Sequence, residues 1–228
     1  MTLNGSLSVA DGDMGLFCRG AESSDIPAVI VLQEIFGVNA NVRSTVEYWA
    51  GQGFYSVAPD LFWRDAPGVD LNPDEPESRG KAMQLSQGYD ANAGLEDIRK
   101  LVAHLRQTHS KVALVGYCLG GRMAFLSWLN LELDAVVSYY GVNLVPLLGD
   151  AANQGRPLLM HLGKEDPLNP YEAQLAISEA LSSRVNVSLN IYPEVGHAFA
   201  RTNANSYVAH AAEKADAATL SFLRRLLA

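Results

Sequence analysis

The sequence predicts an α/β fold: a mostly parallel central sheet with helices on both faces and an antiparallel hairpin at the N-terminus. Three observations carry this prediction. Apolar, β-prone runs alternate with helical patterns along nearly the whole chain. A length of 228 residues suits one large domain, taken here as residues 1–228, and no repeat or linker-like stretch divides it. A composition 48% hydrophobic and 18% charged supplies a sizeable core and excludes a disordered chain.

The elements follow in order. Leu3–Val9 and Met14–Phe17 read as a hairpin turning at Asp11-Gly12, since that dipeptide tolerates the positive φ a tight turn needs. Ala28–Leu32, Tyr55–Ala58, Val112–Val115, Ala135–Tyr139, Leu158–Leu162 and Val187–Tyr192 are short, continuous apolar or β-branched runs, as expected of strands buried on both faces. Helical patterns fill the intervals near Asn41–Gln52, Arg79–Thr108, Arg122–Leu129 and Pro170–Ser182, with a last one from Ser206 to Leu227. The Pro- and acid-rich stretch Ala66 to Glu77 is read as a surface excursion.

Charge and composition exclude several classes of function. The net charge is −8 and Lys and Arg are scattered, which argues against a nucleic-acid partner. No apolar run approaches the roughly 18 residues of a membrane span. The stretch Met1-Thr-Leu-Asn-Gly-Ser-Leu-Ser lacks a basic start and an apolar centre, so no secretory signal is expected. Two cysteines, Cys18 and Cys118, fit a cytoplasmic chain with free thiols. A monomer is expected.

The segment Val112-Ala-Leu-Val-Gly-Tyr-Cys-Leu-Gly-Gly121 carries the chemistry. An apolar strand ends in Gly-x-Cys-x-Gly and a helical run follows at once, the layout of a nucleophile elbow with Cys118 in place of the usual Ser. Gly116 and Gly120 are expected to be small because strand and helix pass close on either side. Composition alone would produce the pattern only about 0.014 times in such a chain. A buried, inert Cys in a glycine-rich turn is the bland alternative.

A thiol needs a base, and the base needs an orienting group. His197 follows the strand Val187–Tyr192, in a loop at its end. Asp166 follows the strand Leu158–Leu162, and adjacent Glu165 competes with it; Asp166 is preferred because Asp-Pro closes the turn and the shorter carboxylate suits a fixed imidazole contact. Asp134 and Asp150 read as turn or helix-end residues. His104, His109, His161 and His210 fall within helical or strand patterns and read as structural. Nucleophile, acid, histidine is the chain order of α/β-hydrolases and of neither of the other triad folds. Glu34 ends the very apolar run Ala28-Val-Ile-Val-Leu-Gln-Glu, a costly place for a carboxylate without a partner or a role. The bland reading of Glu34 is a surface-loop carboxylate.

Several segments resemble the dienelactone hydrolase (carboxymethylenebutenolidase) family. They are Gln33-Glu-Ile-Phe-Gly37, Ala58-Pro-Asp-Leu-Phe62, Gly116-Tyr-Cys-Leu-Gly-Gly121, Ser138-Tyr-Tyr-Gly141 and Gly196-His-Ala-Phe-Ala-Arg201. The resemblance spans nearly the whole chain. It implies an enzyme with a Cys118, Asp166, His197 triad, with Glu34 assisting deprotonation of the thiol and the backbone amides of Leu119 and Ile35 forming an oxyanion hole. It further implies that Arg79 and Arg201 grip a substrate carboxylate. Guanidinium forks suit a carboxylate, and screening over about 8 Å lets them dominate locally despite the overall charge. Phe36, Tyr140, Trp63 and Trp128 are aromatic candidates for the pocket wall, with Phe36 and Tyr140 assigned to substrate binding.

The resemblance frays at three places. Met83 stands where the family has Tyr, Ser86 where it has an indole, and Ala198 where it has a hydroxyl residue after the histidine. The expected activity is therefore hydrolysis of a lactone or enol ester through an acyl-enzyme, without metal or organic cofactor. A general short-chain carboxylesterase and a non-catalytic ligand-binding or redox-sensing protein on the same scaffold are the rivals.

Overall fold

The computed structural model describes residues 3–153 and 155–228. Met1 and Thr2, which open the stretch read as lacking a secretory signal, lie outside them. The chain divides into two compact units, Met1–Leu114 and Val115–Ala228, with the division falling inside one strand.

In the first unit, strand β1 (Gly5–Val9) pairs antiparallel with β2 (Gly12–Arg19), and β2 pairs antiparallel with β4 (Tyr55–Pro59). Strand β4 runs parallel to β3 (Ala28–Leu32), giving the order β1-β2-β4-β3. β3 and β4 are buried along their whole length, as their continuous apolar runs require. Helix α1 (Ala40–Gly51) covers these strands with Val46 and Trp49, and the Asn39 side chain caps it by accepting from the Val42 amide.

The single helical pattern expected from Arg79 to Thr108 is two helices, α2 (Pro76–Gly88) and α3 (Ala91–Leu105). Asp90 causes the break: its backbone is extended and its carboxylate accepts from the amides of Asn92 and Ala93, a fresh N-cap. Pro76 sets the start of α2, so Arg79 lies within its first turn rather than opening it. His109 lies past the end of α3 and is buried, with Nδ1 bonded to the Ile26 carbonyl.

The second unit carries β5 (Val112–Tyr117), whose first half belongs to the first unit, then β6 (Ala135–Tyr139), β7 (Leu158–Gly163) and β8 (Val187–Tyr192). β6, β7 and β8 are parallel neighbours in that order. Helix α4 (Leu119–Asn130) packs on β6, α5 (Tyr171–Leu181) on β8, and α6 (Ala209–Leu227) on β6 and β7. A 3-10 helix over Val145–Asn153 was not legible from periodicity. The eight strands make a mostly parallel sheet with an antiparallel N-terminal pair and helices around it.

Candidate active site

Cys118 stands between β5 and α4 with φ 55° and ψ −111°, a conformation that side chains rarely adopt. The surrounding backbone over-determines it. A Cβ on Gly116 would overlap the Gly120 carbonyl, and one on Gly121 would meet the Tyr139 carbonyl at 2.7 Å. The elbow thus needs small residues at Gly116 and at Gly121. The Cys118 amide donates to the Tyr139 carbonyl at 3.0 Å, tying the elbow to the end of β6. The thiol residue is 6% exposed, more sheltered than a strained turn alone suggests. Leu119 opens α4, where the first amides of a helix have no acceptor within it.

Asp166 and His197 come from the ends of β7 and β8. Gly163 lets their loops meet, because a Cβ there would lie 2.6 Å from the carbonyls of Val195 and Gly196. The Lys164 and Glu165 amides donate to the Tyr192 and Val195 carbonyls and stitch the two loops together. His197 Nδ1 then lies 2.8 Å from Asp166 Oδ2. Glu165, the competitor, is exposed, and its amide donates to the Val195 carbonyl.

Asp166 is fully bonded. The Leu168 amide donates to Oδ1 at 2.8 Å and Asn169 Nδ2 to Oδ2 at 3.0 Å. Gln174 of α5 holds the loop from beneath, donating to the carbonyls of Gly163, Lys164 and Asn169. Burial alone would raise the Asp166 pKa, but His197, Asn169 and the Leu168 amide together hold it below the usual carboxylate value.

His197 is the mirror case. Burial opposes the charged ring, yet the Asp166 carboxylate and the neighbouring Cys118 thiol outweigh it and push the pKa up to about 10. Its Nε2, on the edge away from Asp166, is buried, and the Cys118 thiol is the neighbour that acts on the ring besides Asp166. An imidazole fixed at one nitrogen and open at the other can accept a proton from a thiol or from water. Tyr140 stands edge-on to this ring at 5.1 Å between centroids, itself fully buried with φ 37°. Ala198, next after the histidine, has φ 59°. Backbone strain therefore concentrates at the elbow, beyond β6 and beside His197. Arg201 follows in the same turn, its amide donating to the Ala198 carbonyl, and is half-buried.

Glu34, Ile35, Phe36, Trp63, Arg79 and Met83 belong to the first unit. Glu34 is buried just past β3, with Ile35 and Phe36 in the turn after it. The side chain of Gln33 fixes this turn by accepting from the Leu61 amide and donating to the Glu34 carbonyl. Gly37, at φ 79°, permits close passage of the Val69 carbonyl, where a Cβ would collide. Arg79 donates to the Pro73 carbonyl and lies 3.8 Å from Asp74. Trp63 and Trp128 are core residues whose indoles donate to Asp97 and to the Arg156 carbonyl. Met83 is half exposed on α2. His104 and His210 are exposed on helices, while Asp134 precedes β6 and Asp150 lies in the 3-10 helix. Among the described residues no cluster of His, Cys, Asp or Glu could hold a metal ion, and no helix is long and apolar enough to cross a membrane. Both cysteines are free.

A mostly parallel sheet of this order, with a strained Gly-x-Cys-x-Gly turn between strand and helix, defines an α/β-hydrolase. Solved structures agree on the fold. A Klebsiella pneumoniae protein provisionally classed with the dienelactone hydrolases superposes with a TM-score of 0.82 at 24% identity, covering 96% of this chain and 97% of that one. An esterase of Pyrococcus furiosus gives 0.73 at 14% identity, covering 98% and 91%. The chain belongs to the dienelactone hydrolase family, whose model matches residues 15–227. It is 39% identical over 225 residues to the carboxymethylenebutenolidase of Pseudomonas putida, covering 97% of this chain and 95% of the relative. It is 35% identical to carboxymethylenebutenolidase 1 of Cupriavidus pinatubonensis, with 96% and 94% covered.

Proposed function

We propose that this enzyme hydrolyses a carboxylate-bearing lactone or enol ester of the dienelactone type through a Cys118–His197–Asp166 triad. The observation that supports this most is the 2.8 Å bond from Asp166 to His197 in the same unit as the strained Cys118 turn. The Cys118 thiol gives its proton to His197 or, following the family pattern, to Glu34. The thiolate attacks the ring carbonyl, and the negative oxygen rests on the amides of Leu119 and Ile35. Collapse breaks the ring C–O bond, leaving a thioester on Cys118 and an enolate that takes up a proton. Water, deprotonated by His197, attacks the thioester; the C–S bond breaks, the acid product leaves and the thiol is restored. A thiolate suits this reaction because an enolate leaves readily without strong assistance.

Arg201 and Arg79 bind the substrate carboxylate, with Phe36 and Tyr140 lining the acyl site. Relatives named carboxymethylenebutenolidase support this choice of substrate. Because Met83, Ser86 and Ala198 differ from the family pattern, the test compares cis- and trans-dienelactone with neutral enol esters and aryl esters. Cys118→Ala is expected to lower turnover of all of them by at least about 10³-fold, and near-normal turnover in that variant overturns the triad. Arg201→Ala is expected to remove only the preference for acid-bearing lactones; an enzyme without that preference from the start is a general carboxylesterase. The cytoplasm and a monomeric state remain part of this proposal.

A further inference from the structure

We infer that a buried chain of side chains, Tyr192–His161–Thr219–Tyr139–Asp216, is the device that positions the Cys118 site, with Tyr139 and Thr219 as its positioning residues. The inference rests on the reading of Cys118 as nucleophile.

The chain runs through hydrogen bonds alone. The Tyr192 hydroxyl lies 2.9 Å from His161 Nδ1, and His161 Nε2 lies 3.0 Å from Thr219 Oγ1. Thr219 Oγ1 is 2.7 Å from the Tyr139 hydroxyl, which donates to Asp216 Oδ1 at 2.8 Å. Tyr139, His161 and Thr219 have no solvent exposure, and Tyr192 is 4% exposed. One arrangement of protons satisfies every link: Tyr192 donates to His161, His161 to Thr219, Thr219 to Tyr139, and Tyr139 to the Asp216 carboxylate. The direction follows from the Asp216 end, because an ionised carboxylate only accepts. Asp216 and Thr219, three residues apart, present one face of α6 to the ends of β6 and β7.

What links this chain to the site is the backbone of its own members. Tyr139 gives its carbonyl to the Cys118 amide at 3.0 Å, the bond that anchors the elbow. His161 gives its carbonyl to the Tyr140 amide at 2.7 Å, and the Tyr140 ring stands against His197. Tyr192 gives its carbonyl to the Lys164 amide at 2.8 Å, two residues before Asp166. Two strand ends, Tyr139 and Tyr192, and one residue within β7, His161, each fixed by a side chain in one network, thus hold the three loops that carry Cys118, Tyr140 beside His197, and Asp166. Apolar residues of equal size would fill this space without the desolvation such a network entails. Its gain lies in fixing one geometry, and misplacing a reacting group by about 1 Å can cost on the order of 10²-fold in rate.

The test uses Tyr139→Phe, which keeps the stacking of that ring on Tyr117 at 4.7 Å, together with Thr219→Val and Thr219→Ser. Aryl-ester kinetics and the rate of Cys118 alkylation by iodoacetamide, resolved from Cys18 by peptide mass, are read in each folded variant. Tyr139→Phe and Thr219→Val are expected to lower both kcat and the alkylation rate at least about tenfold with KM changed less than about twofold, and Thr219→Ser to recover both. Unchanged kcat and alkylation in Tyr139→Phe or Thr219→Val, or a loss that Thr219→Ser does not recover, overturns the inference. Wild-type turnover in Cys118→Ala would instead sink the nucleophile reading, which the alkylation rates do not depend on.

Discussion

Two histidines of the second unit, both enclosed by protein, are driven in opposite directions. His161, in the middle of the sheet, meets only hydroxyl groups, those of Tyr192 and Thr219; burial prevails and lowers its pKa to about 3. His197, at a strand end, meets a carboxylate and a thiol, and its pKa rises to about 10. Burial acts against the charged form in both. The difference lies in the partners, a carboxylate and a thiol against two hydroxyls, and it separates a ring held neutral for structure from one able to take up a proton. Two aspartates repeat the contrast from the acid side. Asp166, bonded to His197, Asn169 and the Leu168 amide, lies below its usual pKa, whereas Asp216, with a single tyrosine hydroxyl to set against burial, rises to about 6.

The contrast breaks most severely at Asp166→Asn. The amide keeps the shape but removes the charge, and it can hold the imidazole in the wrong tautomer. The His197 pKa should then fall from about 10 in the direction of His161, with the Cys118 contribution still in place, and kcat should fall about 10³- to 10⁴-fold. Imidazole titration by NMR with ester kinetics measures both. A variant whose His197 still titrated near 10 would show that the carboxylate is not what separates the two rings.

How much of this was legible beforehand differs between the same two regions. The Cys118 elbow is visible in the chain because its backbone strain demands small neighbours at fixed offsets, so Gly116 and Gly120 sit close to it in sequence. Asp166 and His197 are visible because each lies just past a recognisable strand, and the Asp-Pro turn favours Asp166 over Glu165, whose carboxylate the structure leaves exposed. The network around His161 leaves no such trace. Tyr139, His161, Tyr192 and Thr219 are scattered over the chain and meet only through the pairing of β6, β7 and β8 and the docking of α6. Local signals also fail where one periodicity runs across a boundary. The apolar spacing of Leu95, Ile98, Leu101 and Leu105 is a helix's own, but only the capping carboxylate of Asp90 separates α3 from α2. The surroundings of Glu34 and Phe36 likewise depend on contacts of the 34–39 turn with residues some thirty positions away, such as the Asn39 bond to the Leu71 carbonyl.

A smaller effect sharpens the contrast at Asn169. Its side chain gives Asp166 one of the bonds that Asp216 lacks, and a hydrogen bond to a charged group contributes about 1.5–3 kcal/mol. Asn169→Ala should therefore move Asp166 and His197 partway toward ordinary values and lower kcat about tenfold, with the Leu168 amide still in place. Full activity would mean that the backbone amide alone fixes the carboxylate.

The smallest effect concerns stability and tests the quiet member of the pair. His161 is neutral when folded down to about pH 3, whereas in the unfolded chain it takes up a proton below about 6.5. Between those values the unfolded state binds more protons, so stability rises with pH and is lost as pH falls from 6.5 toward 3. Asp216 has the opposite sign. Its raised folded pKa means the folded state binds more protons between about 4 and 6, so stability declines as pH rises through that window. His161→Gln keeps an acceptor toward Tyr192 and a donor toward Thr219 but cannot titrate. Urea unfolding of both proteins from pH 7 to pH 4 should show the wild type losing ground on the variant below about 6.5, by at most about 1.4 kcal/mol per pH unit. The comparison cancels Asp216, Asp166 and every other carboxylate the two proteins share. Parallel curves would mean that His161 gains its proton as readily in the fold as outside it, and that burial without a charged partner is not what sets it apart from His197.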